Sequence, residues 1–339
     1  IIYGAASPQS AKKYINASIN GADDVYESVS EDNFFRVDIS ENYDNYPMAW
    51  GLPSIRAFQS VVSSSIMEFY DSIGIQRDVA SRPDTDHYAI RGLLSVKYYY
   101  KAISDDDNED IETTLPGFEY VDQNDYFEIY ENTLYIPMGF AYDTYISQSD
   151  ADEKGSSILE SILMKALVLS DEQIEKYSDI MTEIAPADSS GLTKADYVKF
   201  CTEKQQNCSS SFTYDSYGFE SEISLDKSQL VFFSVPYSEG WTAEVNGEAV
   251  DIEKVSYGFM AVKADAGENT IVFKYRTPGL TMGIIISIIG VSGFIIYLVV
   301  CRIRRRKNGV SSHTHYYDYS SASKISAAED YCRSLIDKK

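Results

Sequence analysis

The sequence predicts an α+β protein in which a mixed α/β region is followed by a small antiparallel β-sandwich and one transmembrane helix. Three observations support this order. Apolar residues recur at both helical and strand spacing before residue 206. About seven short strand-like segments with tight turns occupy 207–277, a density typical of a sandwich. A long run without charged residues follows them and is typical of a membrane span.

These patterns divide the chain into five predicted segments. They are a mixed α+β region (1–150), a helical segment (151–206), the β-sandwich domain (207–277), the transmembrane helix (279–301) and a basic tail (302–339).

Helical and strand patterns alternate in the first segment. Helices are predicted at Ala11–Ile19 and over 54–73, where apolar residues recur at helical spacing. The predicted strands are 34–39, 93–100 and a pair within 121–137, with a turn near Glu131-Asn132. The acidic run 105–110 is interpreted as a solvated loop. Ca²⁺ binding is the alternative, although the run lacks the spaced ligands and the glycine of a calcium loop.

The next two segments differ in their periodicity. Residues 151–206 are predicted to be helical, with an apolar face from Ile158 to Leu167, a second helix opened by Asp171 and a third over 193–200. In the sandwich, the Asn246-Gly247 pair predicts a two-residue hairpin. The predicted strands are 212–214, 218–225, 230–235, 241–245, 249–252, 259–262 and 270–275.

No charged side chain occurs among the 25 positions between Arg276 and Arg302. At about 1.5 Å per residue this run can cross a hydrocarbon core of about 30 Å. Five basic residues follow within 302–307, so the positive-inside rule predicts a cytoplasmic tail and an extracellular body. Gly279, Gly283 and Ser287 share one helix face, which indicates packing against other helices.

Charge differs between the two sides of this run. The tail carries nine Lys/Arg and four Asp/Glu, a net of +5, whereas the whole chain carries −23, so residues 1–301 carry −28. Such a surplus disfavours nucleic acid or an anionic lipid surface as a partner of the body. The negative charge suits a solvated body outside a cell. The simpler interpretation is that this charge only keeps the body soluble.

The chain opens on Ile-Ile-Tyr-Gly and shows no recognisable signal peptide. An exported body needs an upstream export signal. We therefore expect either a signal peptide that has been removed or an upstream membrane domain.

The sequence contains no self-sufficient catalytic or metal-binding motif, so no catalytic residue, metal ligand or cofactor is predicted in this chain. A Ser-His-Asp or Cys-His site in the body would depend on His87, and nothing near it in sequence supports one. Zinc spacings, phosphate loops and dinucleotide fingerprints are missing. Cys201 and Cys208 predict either a disulfide in an oxidising compartment or two free thiols.

Aromatic residues are abundant, with 28 Tyr, 15 Phe and 2 Trp. Aromatic rings on a rigid sheet can stack against sugar rings while neighbouring carboxylates accept hydrogen bonds from sugar hydroxyls. The candidate carbohydrate contacts are Trp50, Tyr237, Trp241 and Tyr257. For each of them, packing in the core or in a hairpin is the alternative.

Several stretches occur together in a recognisable order. Residues 233–247 contain Phe-Ser-Val-Pro-Tyr-Ser-Glu-Gly-Trp-Thr-Ala-Glu-Val-Asn-Gly, and residues 274–279 contain Lys-Tyr-Arg-Thr-Pro-Gly. Weaker motifs precede them: Phe-Arg-Val at 35–37, Gly-Leu-Pro-Ser-Ile-Arg-Ala-Phe at 51–58, Leu-Leu-Ser-Val-Lys-Tyr at 93–98, Tyr-Glu-Asn at 130–132 and Ile-Pro-Met-Gly-Phe at 136–140. Together they resemble the bacterial YfhO-like membrane proteins, in patches over most of 34–300. The two cysteines of the body and the long tail depart from the pattern of that family.

The resemblance implies the C-terminal extracytoplasmic portion and last transmembrane helix of a GT-C type glycosyltransferase in the cell membrane. It also implies a lipid-linked sugar donor (a polyprenyl phosphate) for the full-length protein, upstream transmembrane helices, and a cell-surface glycopolymer such as teichoic acid. Catalytic residues are expected in the membrane body, which lies outside this chain. The alternatives are a single-anchor surface protein that binds cell-wall carbohydrate without catalysis and a plain structural spacer.

Overall fold

A computed structural model describes residues 8–22, 34–76, 80–103, 110–186 and 188–307, so the acidic residues 105–109 and the tail beyond 307 lie outside the described residues. Helices and antiparallel sheets share this part of the chain, which confirms the predicted α+β class. The helices are α1 (Pro8–Asn20), α2 (Tyr46–Ala49), α3 (Ser64–Ser72), α4 (Ala89–Leu93), α5 (Ile111–Thr114), α6 (Gln148–Asp152), α7 (Ser156–Leu163), α8 (Asp171–Tyr177), α9 (Lys194–Gln206) and α10 (Leu280–Lys307).

The strands fall into several sheets. They are β1 (Arg36–Ile39), β2 (Ala57–Phe58), β3 (Ala80–Ser81), β4 (Val96–Ala102), β5 (Phe118–Gln123), β6 (Phe127–Asn132), β7 (Phe140–Tyr142), β8 (Thr144–Ser147), β9 (Leu167–Leu169), β10 (Thr182–Glu183), β11 (Ser211–Tyr214), β12 (Gly218–Leu225), β13 (Gln229–Pro236), β14 (Trp241–Val245), β15 (Glu248–Val250), β16 (Glu253–Val255), β17 (Phe259–Ala264) and β18 (Gly267–Tyr275).

A four-stranded sheet in the order β1-β4-β6-β5 organises the first part of the body, with β1 parallel to β4 and the other pairs antiparallel. Alternation along β4 explains its three consecutive tyrosines. Tyr98 and Tyr100 belong to a cluster with Trp50 and Phe127, while Tyr99 belongs to the main core. The predicted buried strand is therefore confirmed, beginning at Val96.

Two of the predicted helical segments are partly wrong. The helix predicted over 54–73 begins only at Ser64, because the Ser63 side chain caps it by accepting a hydrogen bond from the Ser65 N–H, and β2 precedes it. The segment 151–206 contains helices but also β9 and β10, which join β8 in a parallel sheet. An apolar run as short as Leu167–Leu169 has no periodicity that separates a strand from a buried helix.

The sandwich consists of two sheets in the orders β11-β12-β18-β14-β15 and β16-β17-β13-β7. Their facing sides share one apolar cluster, which includes Phe219, Ile271 and Phe273 from the first sheet and Phe233 and Met260 from the second. The predicted hairpin at 246–247 is confirmed, with positive φ at both of its residues. Strand β7 lies outside the segment predicted as the sandwich and supplies an edge of the second sheet.

A buried charge cluster ties β1 to α4. Arg91, fully buried, donates from Nε (3.1 Å) and Nη2 (2.8 Å) to Oδ2 of Asp38. Arg56 donates from Nε to Oδ1 of Asp38 over 3.3 Å. The Nη1 group of Arg91 also donates to the carbonyl oxygens of Asp84 and His87. One buried carboxylate thus serves two buried cations.

A half-buried His–Glu pair lies at the start of α4. Nδ1 of His87 is 2.6 Å from Oε2 of Glu160, whose Oε1 accepts hydrogen bonds from the N–H groups of Ala89 (3.1 Å) and Ile90 (3.3 Å). The hydrogen bond to Glu160 raises the pKa of His87 above its ordinary value of 6.5, and this outweighs the opposing effect of burial. Protonated His87 therefore favours the folded state.

This pair predicts a pH dependence of stability. Because the folded pKa is raised, the contribution of His87 is complete below the unfolded pKa and is lost as the pH rises through the folded pKa. We expect the difference in melting temperature between the wild type and His87→Gln to shrink as the pH rises from below 6.5, the ordinary pKa of histidine, through the raised pKa of folded His87, because the proton is lost. Thermal unfolding of the full chain in detergent measures it. A difference that is constant over this range would contradict the prediction.

The cysteine pair is not joined. Cys201 and Cys208 are both free thiols, so the disulfide alternative is not formed in the structure. Cys201 is buried on α9 close to Gly92, whereas Cys208 lies beyond the end of that helix and donates to the carbonyl oxygen of Gln205. Burial raises the pKa of the Cys201 thiol to about 12, which leaves it unreactive at neutral pH.

The chain divides into two compact units, Ile1–Pro278 and Gly279–Lys339. In the second unit, α10 is a candidate membrane-spanning helix by length and composition. Its 28 residues extend over about 42 Å, more than a hydrocarbon core requires. The division of the chain into five segments stays a prediction.

Candidate functional site

An open cavity of about 1030 Å³, called the cleft below, lies at one end of the sandwich. One wall consists of the β11–β12 turn, the β13–β14 connection and the end of β18 with Pro278. The opposite wall consists of residues 61–65 at the start of α3, together with Phe34 and Arg36 at the start of β1.

Eight of the 24 described residues that line the cleft are aromatic. Tyr217 is 74% exposed, Tyr214 57% and Tyr275 38%. Trp241 is partly buried, and its ring centroid lies 5.0 Å from that of Tyr275. Single exposed aromatic residues are ordinary on a protein surface, but a group of them in one cavity makes that cavity the candidate binding site.

The β11–β12 turn fixes the position of Tyr217. Oδ1 of Asp215 accepts hydrogen bonds from the N–H groups of Tyr217 (2.7 Å) and Gly218 (2.9 Å), and the Tyr217 carbonyl accepts one from the N–H of Tyr275 (2.7 Å). A Cβ at Gly218 would lie 1.9 Å from the carbonyl oxygen of Phe273, so only glycine fits there. The exposed ring thus projects from an ordered turn.

The β13–β14 connection is held against α3. The Ser65 hydroxyl donates to the Tyr237 carbonyl over 2.8 Å, and the Tyr237 N–H donates to the Gly258 carbonyl over 2.8 Å. Gly258 approaches α3 so closely that a Cβ there would lie 2.0 Å from the Ser65 carbonyl oxygen. These contacts join the two walls of the cleft.

Arg36 lies where the cleft meets a smaller cavity of about 370 Å³. Its Nη1 donates to the Leu94 carbonyl (2.7 Å) and to the Ser234 hydroxyl (2.9 Å), and its Nη2 donates to the Ser234 carbonyl (2.9 Å). The guanidinium carbon also lies 5.0 Å from the ring centroid of Phe34. Burial lowers the pKa of Arg36 to about 10, so the group stays charged at neutral pH.

Polar groups complete the lining. Asp215 and Glu239 contribute carboxylates, and the ammonium group of Lys254 is paired at 2.5 Å with Glu68. Hydroxyl groups come from five serines: Ser63, Ser64, Ser65, Ser216 and Ser238. Aromatic faces flanked by hydroxyl and carboxylate groups can bind sugar rings, because the rings stack and the polar groups hydrogen-bond to sugar hydroxyls.

The structure brings together two of the four residues predicted to contact carbohydrate. Tyr237 and Trp241 both line the cleft, where sugar contact stays a prediction. Trp50 is buried, 8% exposed, and its Nε1 donates to the Ala17 carbonyl over 3.3 Å. Tyr257 is half-buried and donates to Oδ1 of Asp152 over 2.8 Å. Neither of these two lines the cleft.

Tyr214, Tyr217 and Tyr275 also line the cleft and were not predicted from the sequence. The first two flank Asp215-Ser216 just before Gly218, a turn-like stretch whose aromatic residues cannot all face a core. Tyr275 is on the same face of β18 as the core residues Ile271 and Phe273, but it is the last residue of the strand and is 38% exposed.

The family model described as bacterial membrane protein YfhO matches residues 2–215 and 187–287. The chain is also similar to the uncharacterized protein YfhO of Bacillus subtilis (strain 168), at 21% identity over 390 residues. That match covers 82% of this chain and 44% of the relative, so the chain spans less than half of the length of the relative. The two matched ranges contain every residue that lines the cleft. The chain therefore belongs to the YfhO family of bacterial membrane proteins.

Proposed function

We propose that this chain is the extracytoplasmic C-terminal part and last transmembrane helix of a membrane glycosyltransferase. The enzyme would use a lipid-linked sugar to modify a cell-surface glycopolymer such as teichoic acid. In this proposal the cleft holds the acceptor polymer, while the catalytic residues and the site of the polyprenyl-phosphate donor belong to transmembrane helices outside this chain. The cleft, with its exposed aromatic rings, is the observation that carries the proposal.

The dimensions and chemistry of the cleft support an extended glycan as its ligand. A volume of about 1030 Å³ exceeds the needs of one monosaccharide and suits several sugar units. Tyr214 and Tyr217 present their rings to solvent, where an acceptor can enter and leave without rearrangement of the sandwich. Reversible binding at such an open surface suits a polymer that is modified at many positions.

The connection to the membrane helix also supports the proposal. Only residues 276–279 separate Tyr275, at the rim of the cleft, from Leu280, where α10 begins. An extended chain covers at most about 3.6 Å per residue, so the connection itself can span at most about 18 Å. A connection this short suits an enzyme whose acceptor site and membrane-held donor must meet.

The orientation belongs to the same proposal. The last turns of α10 carry the basic residues Arg302, Arg304, Arg305, Arg306 and Lys307, and the preceding turns carry no charge. Basic residues at this end favour a cytoplasmic location for it, which puts the cleft on the outer face of the membrane.

The second candidate is a surface protein that binds cell-wall carbohydrate without catalysis. The same cleft supports it, because nothing in the lining requires a transfer reaction. The two candidates differ in one observable: only a glycosyltransferase changes the covalent composition of the polymer.

Disruption of the gene is expected to remove a sugar substituent from a surface glycopolymer, as measured by mass spectrometry of the purified polymer. The unaltered full-length gene should restore it. A gene carrying Tyr214→Ala with Tyr217→Ala should restore about tenfold less at limiting expression, because two stacking rings, each worth on the order of 0.5–1.5 kcal/mol, are lost.

Tyr120→Ala is the matched control, since Tyr120 is 48% exposed and lies outside the cleft. An unchanged polymer in the disrupted strain would overturn the glycosyltransferase proposal. Full restoration by the double variant would leave the enzyme but remove the cleft from acceptor binding. An unchanged polymer together with glycan binding by the purified full chain would favour the second candidate.

A further inference from the structure

Arg36 retains unused hydrogen-bonding capacity. A guanidinium group has five N–H donors. Three of those in Arg36 reach Leu94 and Ser234. The two that remain are the Nε–H and the second N–H of Nη2, which lie side by side on one edge of the planar group. No described residue accepts a hydrogen bond from this edge.

The environment of Arg36 differs from that of the other arginines of the first sheet and its surroundings. Arg56 and Arg91 share the carboxylate of Asp38, and Arg82 pairs with Asp44 at 2.7 Å. Arg36, by contrast, forms no ion pair within the part of the chain that the structure describes. Among the described residues, Arg36 is therefore a cation that lines the cleft without an ion pair.

Two carboxylates near the cleft bind groups other than Arg36. Asp215 accepts two backbone hydrogen bonds within its own turn, and Glu68 is paired with Lys254. Glu239, the other carboxylate of the lining, forms no ion pair with Arg36 either, so among the described residues the guanidinium contacts no carboxylate. Its position is also fixed, because three hydrogen bonds hold the opposite edge of the guanidinium, which removes most of the conformational cost of binding a ligand.

We propose that the free edge of Arg36 is an oxyanion subsite of the cleft, which binds a phosphate or carboxylate group carried by the bound glycan. The edge with Nε–H and Nη2–H matches two oxygens of such a group in a bidentate geometry. This inference rests on the proposed function, in which the cleft holds a glycan, and it assigns the residue that binds the anionic groups of that glycan. The rings of Tyr214, Tyr217 and Trp241 would contact the sugar or polyol units on either side of the anion.

The test uses the purified full chain in lipid nanodiscs and two synthetic probes of equal length, a sugar-substituted glycerol phosphate oligomer and a neutral oligosaccharide. Isothermal titration calorimetry measures both affinities. We expect Arg36→Gln to weaken binding of the phosphate oligomer about tenfold or more and to leave the neutral oligosaccharide within about twofold, since a charge-assisted bidentate contact is lost only with the first probe. A carboxylate-bearing oligosaccharide identifies which oxyanion binds more tightly.

Arg82→Gln is the matched control, because it removes an arginine that lies outside the cleft. A second measurement does not depend on the folding of a variant: in the wild type with ¹⁵N-labelled arginine, the Nε–H resonance of Arg36 should shift when the phosphate oligomer is added, and the neutral probe should leave it in place. That resonance reports the donor that has no described partner.

The outcomes separate the two proposals. One outcome is that the neutral oligosaccharide binds, Tyr217→Ala weakens this binding, the anionic probe is not preferred and the Nε–H resonance does not shift. This outcome overturns the oxyanion subsite but leaves the proposal that the cleft binds a glycan. Binding of the phosphate oligomer that depends on Arg36, with no measurable affinity for the neutral probe, supports the subsite and counts against stacking on sugar rings. Failure of every probe to bind overturns both.

Discussion

Replacing Asp38 with alanine is expected to lower the free energy of unfolding of the body by about 3–5 kcal/mol, the cost typical of breaking a buried ion pair. The side chain of Asp38 is fully buried and is shared by Arg91, also fully buried, and Arg56. Its removal leaves two buried guanidinium groups without a carboxylate, and Nη1 of Arg56 already lacks a partner among the described residues. The desolvation cost of both cations then goes uncompensated.

Urea unfolding of the full chain in detergent, followed by circular dichroism, measures this change. Asp251→Ala is the control, because Asp251 also pairs with a cation, Lys176, but is 80% exposed, and its loss should change stability little. An Asp38→Ala variant as stable as the control would show that the cluster relaxes, with water reaching the two arginines.

The substitution Trp50→Ala should also destabilise the body strongly, by about 3–5 kcal/mol, the range for removal of a large aromatic side chain from a core. Trp50 packs against Tyr100 and Phe127, with ring centroids 5.1 and 5.5 Å away. Its indole N–H is satisfied by Ala17 of α1, so the variant also loses a tie between that helix and the first sheet.

The same variant separates the two interpretations of Trp50. A core residue changes stability but not the affinity of the folded fraction for a glycan, whereas a sugar contact changes affinity with little effect on stability. We expect the first result, measured by urea unfolding and by titration with an oligosaccharide well below the unfolding midpoint. Tyr120→Ala again provides an exposed aromatic control. A small stability change with a large loss of affinity would contradict the burial of Trp50.

Much of the sandwich could be predicted from sequence because its rules are local. Alternation of apolar residues located β12, β13, β14 and β18 to within a few residues, and Asn246-Gly247 located a hairpin through the backbone conformations that these two residues tolerate. Strand β16 was missed because Glu253-Lys254-Val255 offers a single apolar residue and derives its stability from pairing with β17.

Other elements depend on contacts that no local pattern contains. The turn predicted near Glu131-Asn132 actually lies at 124–126, between β5 and β6, because Asn132 is still paired with Phe118 at the end of β6. The short parallel sheet of β8, β9 and β10 joins segments that are far apart in sequence, so only tertiary packing identifies its strands.

The cleft was predictable only in part. Tyr237 and Trp241 lie in a stretch with a recognisable pattern, which placed two aromatic residues next to each other. Arg36 and Ser65 come from distant parts of the chain, and the hydrogen bonds that bring them to the same cavity involve Ser234 and Tyr237. Trp50 and Tyr257 were predicted as sugar contacts but do not line the cleft, because composition alone cannot separate a buried aromatic ring from an accessible one.

The edge strand β7 has a consequence for how the protein is made. Tyr142 in β7 pairs with Leu230 in β13, and the intervening chain forms the parallel sheet and α9. During synthesis β7 is therefore made well before β13, and until then the backbone groups that pair with β13 have no partner. Such a non-local pairing slows folding, and the unpaired strand edge can associate with other nascent chains. A fragment that starts at 207 would inherit the complementary defect, an uncovered β13 open to strand exchange between molecules.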